Sequence, residues 1–218
     1  MARLARVVIP HIPHHIVQRG NRRQNVFFSD EDKITYLSIM EKFGRKAGLT
    51  FWAYCLMDNH VHFITVPNTP KSLAEGFGEV HRRYTRMINF RENWRGFLWQ
   101  GRFNSFPLDE RRLYAAIRYV EQNPVRAGLV SNAADYPFSS AKTHILKKKD
   151  NLCSDFFLLE EIQDWATYLS TPLSQKELIL FRRHGNTGRP FGDRPFISRL
   201  EQLTGRILNR KKPGPKPN

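Results

Sequence analysis

Only two cysteines, Cys55 and Cys153, occur in this 218-residue chain, and no Cys-x-x-Cys pair is present. That excludes a cysteine-built zinc cluster and fits a reducing cytoplasm. No apolar run approaches the length needed to cross a bilayer, so no membrane partner is expected. The first ten residues are basic, and their apolar part is too short for the h-region of a secretion signal. Acidic residues are scarce as well. Twenty Asp and Glu face 35 Lys and Arg, a net charge of +15. A charge so far from neutral describes partners more than fold, and nucleic acid is the usual one; a merely solubilising basic surface, or ribosome association, is the alternative.

What is present suffices for a sizeable core: 40% of residues are hydrophobic, with 16 phenylalanines. The length suits one medium domain with an appendage, or two small domains. Residues 14–20 read as a short strand, followed by a basic loop at 21–25. Ser29 with Asp32 has the capping-box pattern, and Ile34, Leu37, Met40 and Phe43 give the helix it opens one apolar face, closed by Gly48. Residues 50–56 and 60–67 form a hairpin across Met57-Asp58-Asn59. A helix opening at Pro70 carries the stripe Leu73, Phe77, Val80, Tyr84, Met87/Ile88, and residues 97–107 read as a strand with a bulge at Gly101. Strand, helix, strand, strand, helix, strand is the order of an α+β, ferredoxin-like fold: an antiparallel sheet with helices on one face.

A further helix starts at Asp109-Glu110 and runs through Leu113, Ala116, Ile117 and Val120 to Asn123-Pro124, with a short turn to Leu129. Beyond Val130 the pattern loosens. An ordered loop surrounds Tyr136, an exposed link covers 147–150, and helices are expected at roughly 158–170, at 174–184 ended by Gly185, and from Pro195 to Leu203. Between Arg182 and Asn218 stand ten Lys and Arg against two Asp and Glu, so positive charge is concentrated there.

The chemistry centres on His60-Val61-His62. Residues two apart on a strand share a face, so both imidazoles can converge on one divalent cation. Tyr119 and Asn123, four apart, share a helix face if the helix reaches that far, and supply a nucleophile and an amide oxygen. Two imidazoles and one amide oxygen suit Mg²⁺ or Mn²⁺, with the imidazoles favouring Mn²⁺ somewhat, and leave room for phosphate oxygens. Such a cation neutralises charge during in-line attack on phosphorus, and Tyr119 is then the attacking group.

These residues also carry a resemblance. His60-Val61-His62 fits the HUH motif, two histidines around a hydrophobic residue. The run Arg118-Tyr119-Val120-Glu121-Gln122-Asn123-Pro124-Val125-Arg126-Ala127-Gly128-Leu129-Val130 resembles the tyrosine-helix motif of the REP-associated tyrosine transposases. Val17-Gln18-Arg19-Gly20-Asn21 and Trp99-Gln100-Gly101-Arg102-Phe103 are similar to further blocks of that family, and the match covers roughly residues 10–145. The resemblance implies a single-tyrosine HUH nuclease that cuts single-stranded DNA near a hairpin and keeps a 5′-phosphotyrosine link. By position, Tyr119 is the nucleophile, His60 and His62 are metal ligands, and Asn123 takes the third position, where related insertion-sequence transposases often carry Gln. With the looser pattern and concentrated positive charge beyond it, the chain is expected to divide into a catalytic unit at 1–145, a helical DNA-binding extension at 146–209 and a basic disordered tail at 210–218.

Each residue has a plainer reading. Tyr119 is also what a core tyrosine on an apolar helix looks like, Tyr84 and Tyr114 compete with it, and Asn123 before proline is a natural helix cap. His14, His15, His81, His144 and His184 lack a partner at metal spacing and are taken as structural or DNA-facing. Arg22, Arg23, Arg82, Arg83 and Arg86 are either a solvated face or phosphate contacts, joined by Arg19 and Arg102 from the family blocks. Trp94 and Trp99 pack in the core or stack on unpaired bases. Two rival functions share the motifs: a replication initiator or relaxase, and a hairpin-binding regulator that does not cut. A monomer and a homodimer are equally compatible with the sequence.

Overall fold

The computed structural model describes residues 5–209, so the tail expected at 210–218 lies outside the described residues. The chain runs β1 (His14–Arg19), α1 (Asp30–Ile39), β2 (Leu49–Met57), β3 (His60–Pro67), α2 (Ser72–Arg91) and β4 (Asn104–Pro107). Then follow α3 (Glu110–Glu121), α4 (Asn123–Arg126), α5 (Ala141–Leu146), α6 (Leu158–Glu161), α7 (Trp165–Ser170), α8 (Gln175–Thr187) and α9 (Arg194–Thr204). The strands make one sheet in the order β2-β3-β1-β4, with every neighbouring pair antiparallel. No helix among the described residues is long and apolar enough to cross a membrane.

Strand alternation sorts the sheet into two faces. Phe63 meets Tyr36 of α1 and Phe77 of α2, with ring centroids 6.4 and 5.5 Å away, so α1 and α2 cover its side. His62 points the other way and meets Tyr119 of α3 at 5.6 Å. Helices therefore lie on both faces, whereas the strand order alone suggests one covered face. The second layer comes from α3 and α8, which follow the βαββαβ portion in the chain and leave a cleft where they meet β1 and β3.

Ser29 caps α1 by accepting from the Asp32 amide. The buried Asp32 carboxylate also accepts from the Phe28 amide at 2.8 Å and from Arg91 at 2.5 and 3.1 Å. Of the apolar face expected on α1, Met40 is buried and Leu37 and Phe43 pack against the core, but its first member does not. Ile34 is exposed, while Lys33, Tyr36 and Met40 are buried at the same three-to-four spacing. A lysine on the buried side hides this face from a hydrophobicity pattern: its stem packs while its ammonium meets Asp58 at 2.8 Å. Helical geometry continues through a π turn at Met40–Gly44. In contrast, α2 buries Leu73, Phe77, Val80, Tyr84 and Ile88, the predicted stripe.

The strand expected at 97–107 is short. Residues 98–102 leave the ladder and pair with the end of β1, through Asn21 N–Leu98 O and Gln100 N–Arg19 O, both 2.8 Å. Gly101 turns there at φ +61°, a conformation that favours glycine. The helix expected over 158–170 is broken because Asp164 caps a new start, accepting from the Thr167 amide. Helix α8 passes through Gly185 and stops at Gly188, which takes the left-handed φ of +69°; Ser174 and Glu177 form a true capping box at its other end. Leu152, Phe156, Trp165 and Phe181 share the core that contains the sheet.

Candidate active site

The turn before β3 is clamped before the histidines appear. The Asp58 carbonyl accepts from the Val26 and Phe27 amides at 2.7 and 3.0 Å, and its carboxylate holds Lys33. Gly20 donates to the Asn59 carbonyl at 2.9 Å, and a Cβ on Gly20 would lie 2.1 Å from the Gln24 carbonyl oxygen. Only glycine fits there. This knot fixes where the His60 strand begins.

His60 and His62 lie with ring centroids 5.0 Å apart. His60 Nδ1 bonds the Asn59 side-chain oxygen at 2.6 Å, and His62 Nδ1 lies 2.9 Å from His15 Nε2. Since the Asn59 oxygen only accepts, His60 carries its proton on Nδ1 and its Nε2 is left with a lone pair. Each Nδ1 is engaged, which orients each ring and leaves its Nε2 without a hydrogen-bond partner among the described residues. Burial pushes the pKa of His60 down to about 4, with Arg19 and Arg126 adding to the effect, and depresses His62 well below its ordinary value. Both are neutral at physiological pH, the state in which imidazole ligates metal.

Tyr119 is buried on α3, its ring 5.6 Å from both His62 and His15. Phe181 of α8 stacks on it at 4.7 Å, and the Arg126 guanidinium sits 4.5 Å from its ring centre. Arg126 also donates to the Tyr119 carbonyl at 2.8 Å and to Asn123 Oδ1 at 3.1 Å. Asn123 begins α4, and its Nδ2 is buried without a partner.

Around Tyr119 opens a cleft of about 860 Å³. Of the residues singled out in the sequence, His62, Tyr119, Arg19, Arg23 and Arg102 line it, and His60 adjoins it through His62. Arg22 does not line it, Arg82 and Arg86 line a separate groove, and Arg83 is paired with Glu79 at 2.5 Å. Tyr84 is a core residue bonded to the Val26 carbonyl, and Tyr114 bonds Glu161 away from the cleft.

Several cleft residues carry no motif. His15, read as lacking a metal-spaced partner, is the neighbour of His62. Strand alternation puts it on the face of Val17, which pairs with His62, but that register is unreadable before the fold exists. Arg126, which packs on Tyr119 but does not line the cleft, stood inside the tyrosine-helix run, three residues after Asn123 on the same helical face. Phe181, Arg182 and Asn186 come from α8, and nothing local marks them as neighbours of Tyr119.

As to a cation, the two neutral imidazoles with free Nε2 atoms fit one. Among the described residues, no group of three or more His, Cys, Asp and Glu side chains is arranged to hold a metal ion. Any third protein ligand therefore comes from another residue type; Asn123, the amide expected in that place, does not line the cleft, and its oxygen is held by Arg126.

Residues 9–123 match the family described as "Transposase IS200 like". A REP-associated tyrosine transposase from Escherichia coli (strain K12) is 24% identical over 126 residues, spanning 57% of this chain and 72% of that protein. The solved structure of a REP-associated tyrosine transposase bound to a REP hairpin superposes with a TM-score of 0.58 at 19% identity, covering 72% of this chain and 93% of the other. With more than half its length matched by the family and the sheet order, histidine pair and tyrosine helix in place, the chain belongs to the IS200-like transposases.

Proposed function

We propose that this protein cleaves and rejoins single-stranded or hairpin DNA of the REP type through a covalent bond to Tyr119. The carrying observation is the approach of the Tyr119 ring to His62, 5.6 Å between centroids, in a cleft lined by Arg19, Arg23, Arg102 and Arg182. A cleft with four guanidinium groups attracts a phosphodiester, and a phenol beside a histidine pair is a nucleophile suited to it. The Tyr119 oxygen forms a bond to phosphorus, the bond from phosphorus to the 3′ oxygen breaks, the phenol proton leaves to solvent, and the 3′ oxygen takes up a proton. The product is a 5′-phosphotyrosine and a free 3′-hydroxyl, and the reverse step rejoins a strand.

The catalytic portion is read as a ferredoxin-like βαββαβ unit, with residues 146–209 adding DNA contacts such as Arg182. His60 and His62 would hold a divalent cation, Mg²⁺ or Mn²⁺, through Nε2, and Asn123 would join them once Arg126 releases its oxygen. Such a cation neutralises charge that builds on the phosphate during attack. His15 keeps the His62 ring oriented, Phe181 keeps the Tyr119 ring from swinging, and Arg126 lays a positive charge against its face. Arg22, Arg82, Arg83 and Arg86 extend the basic surface beyond the cleft, and the protein acts as a monomer or homodimer.

A second reading, a hairpin-binding regulator that does not cut, draws on the Arg126–Asn123 bond, which engages the third ligand position. Labelled hairpin DNA with Mg²⁺ or Mn²⁺ separates the two. The catalytic reading predicts cleavage and a covalent adduct that Tyr119→Phe abolishes while hairpin binding persists. An adduct surviving Tyr119→Phe displaces Tyr119 as nucleophile, and binding without any cutting establishes the regulator. Binding in either case weakens steeply as salt rises, because phosphate contacts release counterions.

A further inference from the structure

On the sheet face opposite Tyr119, the outer side of α2 and the loop after it enclose an open groove of about 820 Å³. Large apolar side chains stand into solvent along it. Phe90 is 91% exposed, Phe97 85% and Trp94 45%. Such side chains clustered at one groove are an interaction signal, since soluble proteins rarely leave contiguous aromatic surface uncovered. The loop carrying them is held in shape: Trp94 N donates to the Asn89 carbonyl at 2.8 Å, and Asn89 Nδ2 donates to the Gly96 carbonyl at 3.0 Å. Its turns use Asn93 at φ +53° and Gly96 at φ +96°.

The charge of this groove identifies the occupant. Arg82 and Arg86 line it and no acidic side chain does; Arg82 is matched by Glu79 behind it, whereas Arg86 and neighbouring Arg95 have no acidic partner among the described residues. Exposed aromatic faces interleaved with guanidinium groups are a platform for unpaired bases with their phosphates. A second copy of the chain fits poorly, since two cationic grooves would face each other on chains of net charge +15.

The groove and the tyrosine cleft are separated by a single segment of chain. The segment at 98–102, pinned to the end of β1, forms the ridge between them. Leu98, Trp99 and Gly101 face the groove, while Gln100 and Arg102 face the cleft. Gln18, in the cleft, donates to the Gly101 carbonyl at 3.1 Å across that ridge. We infer that this groove is a second, base-stacking site that holds a single-stranded stretch of the same DNA whose hairpin end engages the cleft. Naming DNA as the occupant rests on the function proposed above, and the groove can be tested apart from it.

The test is fluorescence anisotropy of wild type and Phe90→Ala/Phe97→Ala with three labelled probes: a bare hairpin, the same hairpin with a thymidine flank, and a free thymidine strand. Both side chains are solvent-exposed, so the variant loses little core packing, and circular dichroism checks its fold. The double variant is expected to lose about tenfold or more in affinity for the two single-stranded probes and to bind the bare hairpin unchanged. Equal affinity of variant and wild type for the flanked hairpin overturns the proposal. So does sedimentation showing a wild-type dimer that the double variant abolishes, which makes the groove a self-interface. If wild type binds and cuts the hairpin while the groove variant is indifferent, only the groove falls. If wild type ignores the hairpin but loses the thymidine strand on mutation, the groove stands and the transposase reading falls.

Discussion

His15 Nε2 lies 2.9 Å from His62 Nδ1, joining β1 to β3 through two buried imidazoles rather than through the ladder alone. If His62 is to offer Nε2 outward, its Nδ1 must carry the proton and donate to His15. His15 then carries its own proton on Nδ1, which is buried without a partner. The arrangement orients His62 at the cost of one unsatisfied donor, a pattern seen where function outranks stability.

That bond yields the first prediction. His15→Phe keeps the packing volume and removes the acceptor. Single-turnover cleavage of hairpin DNA is expected to fall by about 10–100-fold with hairpin affinity unchanged. Wild-type rates in the variant would reduce His15 to a core residue.

Arg126→Met retains the stem over Tyr119 and removes the charge. The guanidinium no longer repels a cation and Asn123 Oδ1 is freed, so Mn²⁺ is expected to bind about fivefold more tightly, equivalent to roughly 1 kcal/mol. Calorimetric titration of Mn²⁺ into the DNA-free protein measures it. Unchanged or weaker binding would show that Arg126 does not compete with the metal.

Asp32 ties α1 to α2. Burial alone would raise its pKa, but the Arg91 bond, the Phe28 amide and the Arg91 charge together hold it below its ordinary value. Arg91→Ala strands a buried carboxylate with only backbone donors, and urea unfolding is expected to show a loss of about 2 kcal/mol at neutral pH. A loss under about 0.5 kcal/mol would place the ion pair among ordinary surface bridges.

Stability should also fall in acid for a reason unrelated to carboxylates. Burial drops the pKa of His14 to about 4 and that of His81 to about 3. His14 accepts from the Ile9 amide and bonds the Ile12 carbonyl, and His81 bonds the Tyr36 hydroxyl. Between pH 6.5 and about 4 the unfolded chain binds protons that the folded chain refuses, so the unfolding free energy declines as pH falls through that window. Each histidine contributes on the order of 1–3 kcal/mol, and His81→Gln should flatten the slope of melting temperature against pH. A slope identical to wild type would mean that His81 does not drive the loss.

The sequence by itself determined the parts whose rules are local. Strand alternation in His60-Val61-His62, the stripe on α2 and the start of α3 at Asp109-Glu110 were legible because each depends on residues within a few positions. In contrast, α3 stops at Glu121 and Asn123 begins a separate helix, so the face that Tyr119 and Asn123 share on one continuous helix was not. Legibility failed where a local signal met a distant partner. On α1 the buried lysine answers to Asp58 in another element, and the strand expected at 97–107 gave its first half to pairing with the end of β1. Only the tertiary structure decided that His15 stands beside His62, that Phe181 of α8 lies on Tyr119, and that Arg126 holds the Asn123 oxygen. Those contacts depend on sheet register and on how α3 and α8 pack across the second face, and no spacing along the chain encodes either.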